Sequence, residues 1–300
     1  MAKTKWKDTW GKIDWEKAET KEIKSQIMDL IAQGADVNAG GEYNTVTPLL
    51  KAVHSSDLET VRMLVAAGAD MNKAGSSGYT PILEAAYRIG HDKNGEDVKI
   101  FQYLLQKGVD VNVSKRDGKT PLMTLAHKNN PELIAMLVQA GANVDAQMID
   151  GRTALMIAAS GPNVGNVKAL VENGANVNVS DKKGYTPFTT AAFEFHKENM
   201  DYLIENDANI NAQSSFGYTA LMAAVKEDNI EKVKYLIDKG ADVTVSATNK
   251  YGDEFRAIHL SQTDEMQRIL LAAEEKQKAT KGQQKVNSAM AGLLGKGGRS

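Results

Sequence analysis

Five histidines, His54, His91, His127, His196 and His259, are the side chains of this chain whose ordinary pKa lets them exchange protons near neutral pH. Imidazole also ligates metals, yet none of the five stands in HExxH or another close ligand spacing, and no cysteine accompanies them. Zinc coordination and thiolate chemistry are therefore not expected. No Gly-x-Ser-x-Gly elbow, phosphate-cradling glycine loop or dinucleotide fingerprint occurs. The 38 Asp and Glu residues contain no pair that spacing alone singles out for acid–base work. The reading is a non-enzyme with no catalytic residues, no cofactor and no metal.

What remains is the chemistry of recognition, carried by tyrosine, phenylalanine, lysine and arginine. Lys and Arg total 36 against 38 acidic residues, a net charge of -2, so no global charge favours a nucleic-acid partner. The sign is uneven: Glu274 to Ser300 carries six basic and two acidic residues, or +4, which leaves the body at -6. The polar start, MAKTKWKDTWGKIDWEKAE, lacks the apolar core of a signal peptide, and no stretch has the length of a membrane span. These features, with the absence of cysteine, point to a cytoplasmic protein without membrane insertion, non-classical secretion remaining open.

Positioning such side chains falls to a repeat. Thr-Pro or Thr-Ala followed by an apolar residue starts at Thr47, Thr80, Thr120, Thr153, Thr186 and Thr219, at intervals of 33, 40, 33, 33 and 33. A second marker, Gly-Ala-Asp/Asn or a near variant, starts at Gly34, Gly68, Gly108, Gly141, Gly174, Asp207 and Gly240 in the same register. Two markers in one register specify a repeat architecture. Within a unit, Thr120 caps and Pro121 opens a short helix, where a missing amide proton costs nothing. Asn129-Asn130-Pro131 then interrupts, Leu133, Ile134, Leu137 and Val138 recur at helical spacing, and Gly141 ends the second helix. Asp150-Gly151 predicts a tight turn before Thr153.

These motifs, TPLL at Thr47, TPIL at Thr80, TPLM at Thr120, TALM at Thr153 and Thr219, and TPFT at Thr186, resemble the ankyrin-repeat family over roughly Ile23 to Ala273. The resemblance implies an all-α helical repeat solenoid with projecting hairpin loops. The family's histidine after Thr-Pro-Leu is replaced by Leu, Met or Thr in six units and kept only at Ile258-His259, so a capping hydrogen bond is expected to be lost.

Residues 1–33 are expected to form an N-terminal helical cap containing Trp6, Trp10 and Trp15, Trp6 and Trp10 being placed to share a helix face. Residues 34–275 form the array, and the basic, Gly-containing segment 276–300 is expected to be disordered. Two irregularities interrupt the period. Thr80 and Gly108 lie 28 residues apart instead of 21, with the extra seven near Arg88–Val98, and the last hairpin, SATNKYGDEF, carries a four-residue insertion.

Partners of ankyrin proteins generally contact hairpin tips and the exposed face of the first helices, and the resemblance carries that over unit by unit. It selects Tyr79, Tyr87, Arg116, Lys119, Arg152, Lys183, Tyr185 and Phe193 as protein-binding residues, with Phe216, Tyr218, Lys226, His127 and Lys128 at equivalent positions. The middle hairpins hold seven basic and three acidic residues, or +4, inside an acidic body, which fits an acidic surface on the partner. The expected function is a protein–protein interaction scaffold acting through its concave face. The alternatives are a bacterial secreted effector or inhibitor/immunity protein using that face, and a structural assembly component.

Overall fold

The computed structural model describes residues 10–15, 21–40, 46–91, 94–248 and 251–294. Each threonine of the repeat begins a helix because its hydroxyl accepts an otherwise unpaired amide three residues on. Thr47 Oγ1 accepts from Leu50 at 3.2 Å, and Thr120, Thr153, Thr186 and Thr219 do the same for Met123, Met156, Thr189 and Met222. Thr80 departs from the pattern, its buried hydroxyl having no hydrogen-bond partner.

The expected loss of the histidine cap is made good by another side chain in two units. At His259, Nδ1 accepts from the Arg256 amide at 3.2 Å. At the matching positions Thr189 Oγ1 accepts from the Thr186 amide at 2.7 Å, and Met123 Sδ from the Thr120 amide at 3.5 Å. A hydroxyl or a polarisable sulfur thus replaces the imidazole in these two units, whereas Leu50 and Leu83 at the same position carry no acceptor.

The chain forms two compact units, Met1–Asn176 and Val177–Ser300. In the first, helix α1 (Lys21–Ala32) precedes the pairs α2 (Pro48–His54) and α3 (Leu58–Ala66), α4 (Pro81–Arg88) and α5 (Glu96–Gln106), α6 (Pro121–Ala126) and α7 (Pro131–Gln139), and α8 (Ala154–Ala159) and α9 (Val164–Glu172). The first helices stack in a row, α2 on α4, α4 on α6 and α6 on α8, with each second helix against its own partner. The core runs through Leu49, Leu64, Ile82, Ile100, Phe101, Leu104, Leu122, Leu137 and Leu155, all essentially inaccessible. Each such side chain contributes about 1.5–3 kcal/mol by leaving water.

Stacking is reinforced at the hairpin bases. Asn38, Asn72 and Asn112 each present a side-chain oxygen to the backbone amide of Asp70, Asp110 and Asn143 in the next repeat, at 2.7, 3.0 and 2.8 Å. Asp145 does the same for Asn176 at 3.0 Å.

Trp10 and Trp15 are core residues: the Trp10 indole donates to the Asp36 carbonyl at 3.0 Å and that of Trp15 to the Trp10 carbonyl at 3.3 Å. Trp6 lies outside the described residues. The seven extra residues after Thr80 lengthen α4, the turn and α5 together, α5 spanning 11 residues where α3 spans 9.

In the second unit, α10 (Pro187–Glu194) packs on α11 (Lys197–Glu205) and α12 (Ala220–Lys226), and α12 on α13 (Ile230–Asp238). Asn178 and Asn211 continue the side-chain-to-amide pattern toward Asn209 and Asp242, at 2.7 and 2.8 Å. Asp207, standing where the marker has glycine, takes φ 64°, the left-handed turn that ends the helix. The hairpin insertion becomes a two-stranded antiparallel ribbon, β1 (Ser246–Thr248) with β2 (Glu254–Arg256), the only strands among the described residues.

Helix α14 (Asp264–Leu294) closes the unit with Met266 and Leu270 buried. The segment from 276, expected to be disordered, continues this helix to Leu294, residues 295–300 lying outside the described set. Two side chains at the start of this stretch make polar contacts with the repeat before it. Gln277 donates to the Ala241 carbonyl at 2.8 Å, and Lys281 reaches Asp242 at 2.9 Å. No described helix is long and apolar enough to cross a membrane.

Candidate functional site

In residues 1–176 the selected side chains form an aromatic and cationic cluster. Tyr79, one residue before Thr80, and Tyr87, at the end of α4, meet edge to face with ring centroids 5.9 Å apart. Each ring carries an ammonium group from the following repeat, Lys115 at 4.6 Å from the Tyr79 centroid and Lys128 at 5.7 Å from that of Tyr87. Lys128 also donates to the Tyr87 carbonyl at 3.1 Å. Tyr87 nonetheless remains 46% exposed, so this bracing leaves an aromatic face available to a partner.

The cations here crowd one another. Partial burial lowers the Lys119 pKa, the neighbouring Lys115 and Arg152 lower it further, and only Asp117 opposes them. His127 is likewise held below its usual value by burial and then by Lys119, Arg152 and Lys128. Burial lowers Lys128 as well, with Asp97 opposing and Lys119 assisting.

Arg152 differs, because its guanidinium pairs with Asp150 of its own hairpin at 2.7 Å. Burial tends to raise the Asp150 carboxyl, but hydrogen bonds from the Arg152 amide and side chain prevail and hold it low. Arg116 is exposed and touches the Ser76 carbonyl at 3.5 Å, a marginal contact that leaves its charge free to engage elsewhere. For Lys119, His127 and Lys128 alike, burial is the larger cause and the neighbouring cations the smaller one.

In residues 177–300 the character changes from cationic to apolar. Tyr185, Phe193, Phe216 and Tyr218 line a groove of about 560 Å³ whose floor includes Ala192, Ala223 and Ala224. Phe193 is 62% and Phe216 67% exposed, large apolar surfaces that water covers in the free protein. The hairpin carrying Tyr185 is fixed by close backbone contact. Ser215 donates its amide to the Lys183 carbonyl at 2.8 Å, and Gly184, at φ +78°, has the Ser215 nitrogen only 2.6 Å from where a Cβ would sit. Lys183 thus serves the hairpin through its backbone and is not part of the groove lining, whereas Tyr185 and Phe193 are.

One residue of this site was not among the positions selected from the sequence. Lys232, buried on α13, donates to the Phe193 carbonyl at 3.0 Å and to Glu227 at 3.0 Å, which fixes the end of the helix bearing Phe193. In the first unit Asn166 has the same task, its amide reaching the Ala126 carbonyl at 3.1 Å and the Lys128 carbonyl. The signal is legible in the sequence. Both residues stand at the core-facing position of a second helix that Leu133 occupies in another repeat, so a polar side chain there needs a partner.

Nothing in the site suggests metal chemistry. Among the described residues no group of three or more His, Asp or Glu is placed to hold an ion, and the histidines are used singly. His54 bonds Glu84 at 2.8 Å, and His91 stacks on Tyr87 with centroids 5.3 Å apart.

A family model described as ankyrin repeats in three copies matches residues 18–112, 92–181 and 163–247. Comparison with curated proteins gave no match.

Proposed function

The chain belongs to the ankyrin-repeat family, and from that premise we propose that it binds a protein partner bearing an acidic surface through its hairpin tips and first helices. The family is a non-catalytic interaction scaffold, and the chain is one. The observation that carries the finer reading is the grouping of Lys119 and His127 with Lys128, whose ammonium lies over the exposed ring of Tyr87, since an acidic partner relieves the repulsion among these cations while covering the ring. Arg116, Lys119 and Arg152 supply charge, Tyr79 and Tyr87 supply area, and in the second unit Tyr185 and Phe193 add apolar contact with Lys183 at the hairpin tip. Aromatic and arginine side chains of this kind dominate interface energetics, a single truncation costing on the order of 2 kcal/mol.

The test is a double variant, Arg116→Ala with Tyr185→Ala, compared with the parent chain against a partner obtained by affinity capture. An unchanged circular-dichroism spectrum with weaker binding supports the assignment. Unchanged binding removes it.

A further inference from the structure

We propose that the groove of the second unit receives a bulky apolar side chain of the partner that is flanked, within a residue or two, by an aspartate or glutamate. The inference rests on the reading of the hairpin and first-helix face as the partner surface and specifies what that face takes.

The shape comes from residue sizes. Alanines at 192, 223 and 224 leave the floor low while Tyr185, Phe193, Phe216 and Tyr218 stand around it, giving a volume of about 560 Å³. Pockets that hold ligands span about 300–1,000 Å³ and bury most of what they take. The position that Phe193 occupies after its threonine is held by His54, Tyr87, His127 and Ser160 in the first unit, so a fully apolar wall is particular to this repeat.

The charge comes from counting partners within the lining. Lys232 and Glu227 neutralise each other at 3.0 Å. Lys226 is exposed at the mouth, its ammonium 5.4 Å from the centroid of the Tyr218 ring, and among the described residues it makes no ion pair. A lone cation beside an apolar surface attracts a carboxylate more strongly than one surrounded by water, because the local dielectric is lower. An apolar side chain thus supplies the contact and a neighbouring carboxylate sets the specificity.

The experiment selects from a library of short random peptides, blocked at both ends so that no chain terminus supplies the carboxylate. The full chain is used in parallel with Ala223→Phe, which fills the groove, Phe193→Ser, which removes a wall from an exposed position, and Lys226→Glu. The expected result is enrichment of Phe, Leu, Met or Trp next to Asp or Glu, with affinity for the best peptide falling on the order of tenfold in Ala223→Phe and Phe193→Ser. With Lys226→Glu, selection shifts to Lys or Arg beside the same apolar residue. The proposal is overturned if no sequence is enriched relative to the two groove variants, if the flanking preference is basic or absent, or if the acidic preference survives Lys226→Glu. Loss of the captured partner in the Arg116→Ala, Tyr185→Ala variant without any peptide enrichment leaves the wider surface standing and removes this use of the groove. Peptide enrichment with the captured partner unaffected keeps the groove's chemistry and removes the wider surface.

Discussion

The ammonium of Lys232 lies 3.0 Å from the carbonyl oxygen of Phe193, so a side chain on the second helix of one repeat holds the end of the first helix of the repeat before it. Its other bond goes to Glu227 at 3.0 Å, and its side chain is only 6% exposed. Lys232→Met keeps the aliphatic stem and removes the donor, leaving a carbonyl and a carboxylate without their partner. The expected loss is about 2 kcal/mol in denaturant unfolding. Groove-directed binding is expected to weaken as well, because the wall formed by Phe193 is no longer fixed.

Asn112 joins two repeats by accepting from the Asn143 amide at 2.8 Å and donating to the Gly141 carbonyl at 3.0 Å. Asn112→Ala is expected to cost about 1–2 kcal/mol, each net hydrogen bond being worth about 1 kcal/mol. Hydrogen exchange at the Asn143 amide should accelerate, and an exchange rate equal to that of the parent would show the bond to be unimportant.

The C-terminal helix offers a graded truncation. Ending the chain after Gln284 retains Gln277 and Lys281 and should leave unfolding of the body unchanged. Ending it after Glu275 removes both contacts and is expected to lower stability by about 1–2 kcal/mol.

A pH measurement separates the two contacts. Burial tends to raise the Asp242 carboxyl, but hydrogen bonds from Thr244 and Lys281 outweigh it and hold its pKa below the ordinary 3.8. A depressed carboxyl contributes stability above its unfolded pKa and loses it as the pH falls through the folded value. The stability lost with Lys281 should therefore be largest near neutral pH and disappear as the pH falls through the folded-state pKa of Asp242, which lies below 3.8.

Partner binding is expected to be proton-linked through His127. Its pKa lies below the usual 6.5 because of burial and the neighbouring cations. An acidic partner raises it, so the complex holds more protons than the free protein and affinity rises as the pH falls through the histidine's pKa in the complex. Calorimetry in buffers of different ionisation enthalpy should detect proton uptake that His127→Asn removes. The same binding should weaken with added salt, to which a purely aromatic contact is insensitive.

The repeat was legible because two markers, Thr47 through Thr219 and Gly34 through Gly240, are local requirements of helix starts and stops. The caps could be read for the same reason. The pairing of Tyr79 with Tyr87 and the groove around Phe193 were legible only as positions, since ring contact depends on the angle between stacked helices. The contacts of Gln277 and Lys281 were not legible, because composition measures apolar burial whereas these side chains dock through polar contacts. Lys232 was hidden by its place on a second helix, although a charged residue at a core-facing position was the clue to it.

The most direct test of the partner surface is lysine-directed crosslinking of the native complex, read by mass spectrometry. The account predicts crosslinks at Lys115, Lys119, Lys128, Lys183 and Lys226, on hairpins and at the ends of first helices. Crosslinks confined to Lys99, Lys168, Lys197 and Lys234, on the second helices, would contradict it.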